Sequence, residues 1–155
     1  MAKPPNGTLV LTEAGVNALN ALTSQLQTET GARAVLLIEK SGQLVTAQGQ
    51  TGTLDTLSLA ALISGSFAST RALARLLGEK NFKMMFQQGK TESIFVVALD
   101  TTDIIAVVFG ESVTVGLVKF KTLQALERIN AQVRSLYTDK KTSLNQISQA
   151  IDNLF

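Results

Sequence analysis

The chain has 155 residues, 45% of them apolar and 17% charged, which suits a single domain with a buried core. Its 14 basic and 12 acidic residues give a net charge of +2, too small and too scattered an excess to predict a nucleic-acid partner. Cysteine and histidine are both absent. Their absence excludes disulfides, zinc-thiolate sites and hydrolases of the Ser-His-Asp or Cys-His kind. We therefore expect no catalytic residues, no cofactor and no metal site.

Residues 1–11 are predicted to be a flexible lead-in, because they contain the run Pro4, Pro5, Asn6 and Gly7. The lead-in lacks the apolar core of a signal peptide. No uninterrupted apolar run in the chain approaches the roughly 20 residues that cross a bilayer. We therefore expect a cytoplasmic protein with no membrane partner.

A helix followed by a β-hairpin is predicted next. Apolar residues recur at spacings of three and four between Val16 and Leu26, which indicates a helix over about residues 12–29, ended by Gly31. The segments 32–39 and 44–48 are short apolar runs typical of strands, and residues 40–43 between them favour a tight turn.

A long helix is predicted over about residues 55–78, capped by Asp55 or Thr53 and ended by Gly78. Its apolar side chains form two adjoining sides. One side carries Leu59, Leu62, Leu73 and Leu77, and the other carries Ala60, Ile63, Phe67 and Ala74. Only a narrow stripe near Ser64, Arg71 and Arg75 is polar. A helix of this kind needs more than one neighbour, so we expect one side to lie on the sheet and another on something outside the domain.

Three strands are predicted over residues 83–89, 93–99 and 104–110, the last two of them central in the sheet. A helix over about residues 115–136 follows, and it closes a domain of residues 12–137. Residues 138–155 are expected to form a linker and a short amphipathic helix. The element order α-β-β-α-β-β-β-α indicates an α+β fold, a sandwich in which helices cover the faces of a five-stranded antiparallel sheet.

Several stretches resemble the roadblock (dynein light chain) family, in particular its MglB type. Residues 34–43, AVLLIEKSGQ, look like the opening hairpin of the family. The long helix of MglB-type chains is similar to LDTL at 54–57 followed by ASTRALARLLGE at 68–79. The resemblance continues in VVFGE at 107–111 and GLVK at 116–119, and it covers about residues 12–136.

The resemblance implies a homodimer that binds an MglA-type Ras-like small GTPase and activates GTP hydrolysis by repositioning its switch regions, in bacterial polarity and motility control. The chain itself would have no active site. The GTPase-binding residues would be Ser64, Phe67, Arg71 and Arg75. The dimer interface would contain Ile63, Ala74, Met84, Met85, Phe86 and Gln88. A C-terminal helix contact would involve Leu144, Ile147, Ile151 and Leu154.

Plainer interpretations stay open for these residues. The strand at 83–89 is either the dimer edge or an ordinary edge strand protected by Lys83 and Gly89. Phe67 belongs either to the core or to an interface, and Arg71 and Arg75 either contact a partner or lie on a solvated face. The C-terminal stripe docks on a partner or on its own domain. The alternative function is a non-catalytic scaffold subunit without effect on GTP hydrolysis; a small-ligand sensor is a third possibility that no polar cluster supports.

Overall fold

The computed structural model describes residues 7–138 and 147–154 and has the predicted order of main elements. The elements are β1 (Thr8–Leu9), α1 (Glu13–Thr30), β2 (Ala34–Ile38), β3 (Leu44–Gly49), α2 (Thr56–Leu76), β4 (Met84–Gln88), β5 (Glu92–Ala98), β6 (Ile104–Gly110), α3 (Val115–Ser135) and β7 (Tyr137–Thr138). The short strands β1 and β7 were not predicted.

The sheet has five antiparallel strands in the order β3-β2-β6-β5-β4. All five residues of β2 are buried, as are the first six residues of β6. The strands β2, β6 and β5 are central, with a helix layer on each side, which confirms the prediction for β5 and β6. The strands β3 and β4 form the two edges.

Local signals in the sequence fix the helix ends. The Thr12 hydroxyl accepts a hydrogen bond from the amide of Gly15 at 3.0 Å, and Gly31 ends α1 in the left-handed region with φ of 69°. Of the two caps considered for α2, Asp55 is the one used: its carboxylate accepts from the Ser58 amide at 3.1 Å. Each cap satisfies an amide that has no partner within the helix.

Alternation along the strands divides the core into two layers. Side chains that point to one face of the sheet, such as Val35 and Val107, pack under α1 and α3. The alternate side chains, such as Leu36 and Ala106, point to the other face and pack under α2. Of the three long helices, α2 lies on one face of the sheet and α1 and α3 lie on the other.

The lead-in is ordered in part, contrary to the prediction for residues 1–11. Thr8 pairs with Thr138 and Leu9 pairs with Tyr137, and the Val10 amide donates to the Leu136 carbonyl at 2.8 Å. This pairing ties the start of the domain to the end of α3. Residues 1–6 lie outside the described residues.

The C-terminal segment is helical over residues 147–152. Ile147, Ile151 and Leu154 of the predicted stripe leave half or more of their surface exposed. Leu144, the fourth member, lies outside the described residues.

Among the described residues, α2 is the single helix that is long and apolar enough to cross a membrane by length and composition. No uninterrupted apolar run marks this helix, because Ser64, Gly65 and Ser66 interrupt its apolar residues. Such a result is weak support for a membrane span, because the core helix of a soluble protein passes the same test. Here one face of α2 packs on the sheet of the same chain, and the helix carries two charged residues, Arg71 and Arg75.

Candidate interaction surface on α2

The side of α2 that points away from the sheet is exposed and apolar. Leu62, Leu73 and Leu76 are 57–86% exposed, and with Gly65 and Ser69 they follow spacings of three and four residues. Residues at these spacings share one face of a helix. We call Leu62, Gly65, Ser69, Leu73 and Leu76 the outward face. Leu57 and Leu77 are also exposed and lie near its ends.

This surface agrees with the expectation that α2 has more apolar surface than its own domain covers. Covering one exposed leucine is worth about 1.5–3 kcal/mol. A contiguous patch of such residues marks an interaction site more often than isolated exposed leucines do. Gly65 adds to this, because a Cβ atom built there meets nothing within 4 Å. Another backbone therefore has room to approach the helix closely at this point.

The opposite side of α2 belongs to the core. Ala60, Ile63, Phe67 and Ala74 are all less than a tenth exposed. Ile63 and Phe67 pack in the core layer between α2 and the sheet, and Ala74 is buried as well, so these side chains offer little surface to a partner. The dimer-interface roles expected of Ile63 and Ala74 and the GTPase-binding role expected of Phe67 stay predictions. Leu59, which the helical pattern grouped with the outward leucines, is half-buried against the same layer.

The remaining candidates for GTPase binding, Ser64, Arg71 and Arg75, lie on the polar flank of α2 that borders its core side. The Arg71 guanidinium sits 5.1 Å from the centre of the Phe67 ring, a cation–π distance. Burial, and secondarily the charge of Arg75, lowers the pKa of Arg71. Arg75 is exposed one turn further along. Ser64 is half-buried and, together with Phe67 and Arg71, lines a cavity of about 50 Å³.

The edge strand β4 is the second candidate surface. Met84 and Phe86 are 39% and 43% exposed, and Gln88 is exposed as well. The β5 partners of Met84 and Phe86 belong to the layer under α1 and α3, and Phe86 stacks on Phe109 with 6.1 Å between ring centres. Met85 lies on the α2 side, where its sulfur accepts from the Thr70 hydroxyl at 3.4 Å. The outer edge of β4 has no partner strand in the part of the chain that the structure describes.

The two aspartates of the β5–β6 turn serve the fold. The buried Asp103 carboxylate accepts from the hydroxyls of Thr101 at 2.6 Å and Tyr137 at 2.7 Å, and from the Lys40 amide at 2.8 Å. Asp100 pairs with Arg134 at 3.3 Å. Residues 100–103 therefore form the turn between β5 and β6. Within residues 7–138 and 147–154, no three His, Cys, Asp or Glu residues group closely enough to hold a metal ion.

Sequence reasoning missed a cavity of about 260 Å³ at the C-terminal end of α2. Arg71 and Arg75 line it together with Lys80, Phe82 and Lys83 of the loop that leads into β4. The loop lies against the helix because Phe82 contacts Phe67, with 5.1 Å between ring centres. In the sequence, Phe82 is an apolar residue between Lys80 and Lys83, and this pattern does not predict which residues it contacts.

Comparison with known proteins identifies the same fold and extends the resemblance. The family model of the Roadblock/LC7 domain matches residues 18–109. The structure of Myxococcus xanthus MglB is 31% identical and has a TM-score of 0.77, with 85% of this chain and 99% of that chain covered. The gliding protein MglB from Thermus thermophilus is 28% identical, with a TM-score of 0.76 over 86% of this chain and 99% of the other. An MglB with a tetrameric arrangement is 28% identical, with a TM-score of 0.78 and coverage of 87% and 99%. No match is found among curated proteins.

Proposed function

This chain belongs to the Roadblock/LC7 family and is of the MglB type, and from that premise we propose that it is a cytoplasmic homodimer that activates GTP hydrolysis by an MglA-type Ras-like small GTPase. A role as a regulator in the MglA/MglB system follows from its likeness to MglB structures. Dimer formation, the stimulation of hydrolysis and the identity of the partner are the proposed parts.

The observation that carries the proposal is the outward face of α2. An isolated domain with Leu62, Leu73 and Leu76 open to water exposes an apolar strip that a bound protein would cover. Gly65 and Ser69 lie between these leucines and are small, so a partner can approach the helix closely there.

The open edge of β4 supports self-association. If β4 paired with its copy around a two-fold axis, the two sheets would join into one, and no edge would remain exposed at the junction. Both α2 helices would then lie on the same side of the joined sheet. Two outward faces would meet one GTPase there, which fits a dimer acting on a single partner.

The chain contributes no reacting group in this mechanism. It would act by binding one arrangement of the switch regions more tightly than the others, which shifts the GTPase toward that arrangement. Arg71 is held on the Phe67 ring, a position that suits a contact residue better than one reaching into a nucleotide site. The GTPase therefore supplies the catalytic groups.

The test is single-turnover GTP hydrolysis by a Ras-like GTPase encoded beside this chain, with and without the purified protein. We expect faster hydrolysis with the wild-type chain and loss of the acceleration with Leu62→Asn. The matched control is Leu117→Asn on α3, which changes an exposed leucine far from the outward face. A wild-type chain that binds the GTPase and leaves its hydrolysis rate unchanged would instead support the non-catalytic scaffold.

A further inference from the structure

The cavity at the end of α2 is strongly basic. Four cationic side chains line it, those of Arg71, Arg75, Lys80 and Lys83. Its apolar lining is formed by Phe82, with Ala98 and Leu99 of the β5 end. We call this site the basic cavity.

Two carboxylates, those of Glu79 and Asp100, also line the basic cavity, so its four cationic and two anionic side chains leave a net charge of +2. Its two carboxylates have other contacts: Glu79 Oε1 accepts from the Asn81 amide at 3.1 Å, and Asp100 pairs with Arg134 at 3.3 Å. The ion pairs found among residues 7–138 and 147–154 are Arg33–Glu92, Lys121–Glu29 and Arg134–Asp100. None of the four cationic side chains of the basic cavity takes part in them.

Several contacts hold the basic cavity in shape without a ligand. The Phe67 ring supports both Phe82 at 5.1 Å and the Arg71 guanidinium at 5.1 Å. The Lys83 carbonyl accepts from the Ala98 amide at 2.8 Å, which ties the loop to β5. Partial burial beside Arg75 lowers the pKa of Arg71, so an anion placed here would relieve an unfavourable cation pair. A site organised in advance loses less entropy on binding.

We propose that the basic cavity receives a carboxylate side chain of the protein that covers the outward face of α2. This assignment rests on the proposed function, in which that protein is the GTPase. Arg75 directly precedes Leu76 at the C-terminal end of α2, and their side chains leave the helix about 100° apart. A partner that covers Leu76 and curves around this end of the helix would therefore reach the cavity. Guanidinium groups bind carboxylates through paired hydrogen bonds. The cavity volume of about 260 Å³ is below the range of roughly 300–1,000 Å³ usual for small-molecule sites, which suits a side chain.

The experiment measures the affinity of the full chain for the GTPase loaded with a non-hydrolysable GTP analogue, by titration calorimetry at low and at physiological salt. We expect Arg75→Gln, and the double change of Arg71 and Arg75 to Gln, to weaken binding by about tenfold or more. Both variants should also reduce the salt dependence, because fewer charges meet at the interface. Arg128→Gln on α3 removes the same charge from another position and should change neither property.

A charge exchange identifies the other half of the pair. Arg75→Glu should abolish tight binding, and a GTPase variant with one surface Asp or Glu changed to Lys should restore it. Arg75 is exposed, so its variants test the contact with little effect on folding, which thermal unfolding of each variant verifies.

Three outcomes would count against the assignment in different ways. A wild-type chain that binds no Ras-like GTPase overturns both the proposed function and the assignment. Equal affinity of the wild-type chain and the Gln variants, with the GTPase bound, overturns the assignment alone. If inorganic phosphate raises the melting temperature of the wild-type chain but not of the Gln variants, and GTPase binding is unaffected, the basic cavity takes a free anion and the assignment is wrong.

Discussion

The phenolic oxygen of Tyr137 lies 2.7 Å from Oδ2 of Asp103 and donates its hydrogen bond to that buried carboxylate. Tyr137 is in β7, where α3 has just ended, and Asp103 closes the β5–β6 turn. The Lys40 amide of the β2–β3 turn donates to the other oxygen of the same carboxylate at 2.8 Å. One side chain thus joins both hairpin turns to the strand from which the C-terminal segment departs.

Replacing Tyr137 with Phe should lower the free energy of unfolding by about 1.5–3 kcal/mol, because a hydrogen bond to a buried carboxylate is lost while the ring is kept. The ring also lies 5.3 Å from Lys40 Nζ, a contact that the Phe variant retains. Urea unfolding of the two proteins measures the difference. An unchanged free energy of unfolding would mean that water replaces the hydroxyl at no cost.

The same tyrosine should make the fold sensitive to alkali. Burial, and after it the hydrogen bond to Asp103, raises the pKa of Tyr137 above its ordinary value of 10.0. The folded chain therefore keeps the phenol proton at pH values where the unfolded chain loses it. The stability from this group is complete below about pH 10 and is lost as the pH rises further.

We therefore expect the unfolding free energy of the wild-type chain to fall more steeply above about pH 10 than that of Tyr137→Phe. The Phe variant is its own control, because the other titrating groups are the same. Parallel pH profiles for the two proteins would contradict this origin of the alkaline sensitivity.

The sequence predicted the main elements because their signals are local. Helix caps such as Thr12 and Asp55 act within three residues, and the apolar runs of β5 and β6 require burial on two faces. The pairing of Thr8 with Thr138 is different, since a two-residue strand has no period to detect and its partner lies 130 residues away.

The candidate site was predicted less completely. The helical pattern gave α2 two apolar sides, but it did not decide which side lies on the sheet. The structure places Ile63 and Phe67 on the sheet together with Ala60, whose small side chain allows close packing, and Ala74 is buried as well. The basic cavity depends on the contact between Phe67 and Phe82 across a helix end and a loop, for which the sequence holds no periodic signal.

Two neighbouring residues of α2 separate its two roles. Ile63 is 5% exposed and Leu62 is 72% exposed. Ile63→Ala should cost about 2–5 kcal/mol of stability, because it leaves a cavity against the sheet. Leu62→Asn should change stability by less than about 0.5 kcal/mol while it weakens association, because the side chain contacts little in the single chain.

Urea unfolding at low protein concentration, combined with a GTPase-binding titration, distinguishes the two effects. Low concentration matters because self-association adds to the apparent stability of the folded state. If Leu62→Asn destabilised the chain as much as Ile63→Ala, the outward face would be covered within the chain, and the proposal of a protein partner for α2 would be wrong.

Met84→Lys tests self-association through β4. A lysine on an edge strand opposes pairing with a second edge, because two-fold symmetry brings two such charges close together. The lysine stem still covers the surface that Met84 covers, so folding should be preserved. We expect the dimer dissociation constant, measured by sedimentation, to rise by about tenfold.

The control for Met84→Lys is Gln50→Lys, which adds the same charge just beyond β3 at the opposite edge of the sheet. If both variants dimerise like the wild-type chain, the copies do not meet through β4. Self-association through the outward face of α2 would then be the alternative to test, and a GTPase would have to compete with the second copy for Leu62, Leu73 and Leu76. In that case dimer dissociation should accompany GTPase binding, so the same sedimentation experiment with added GTPase decides between the two arrangements.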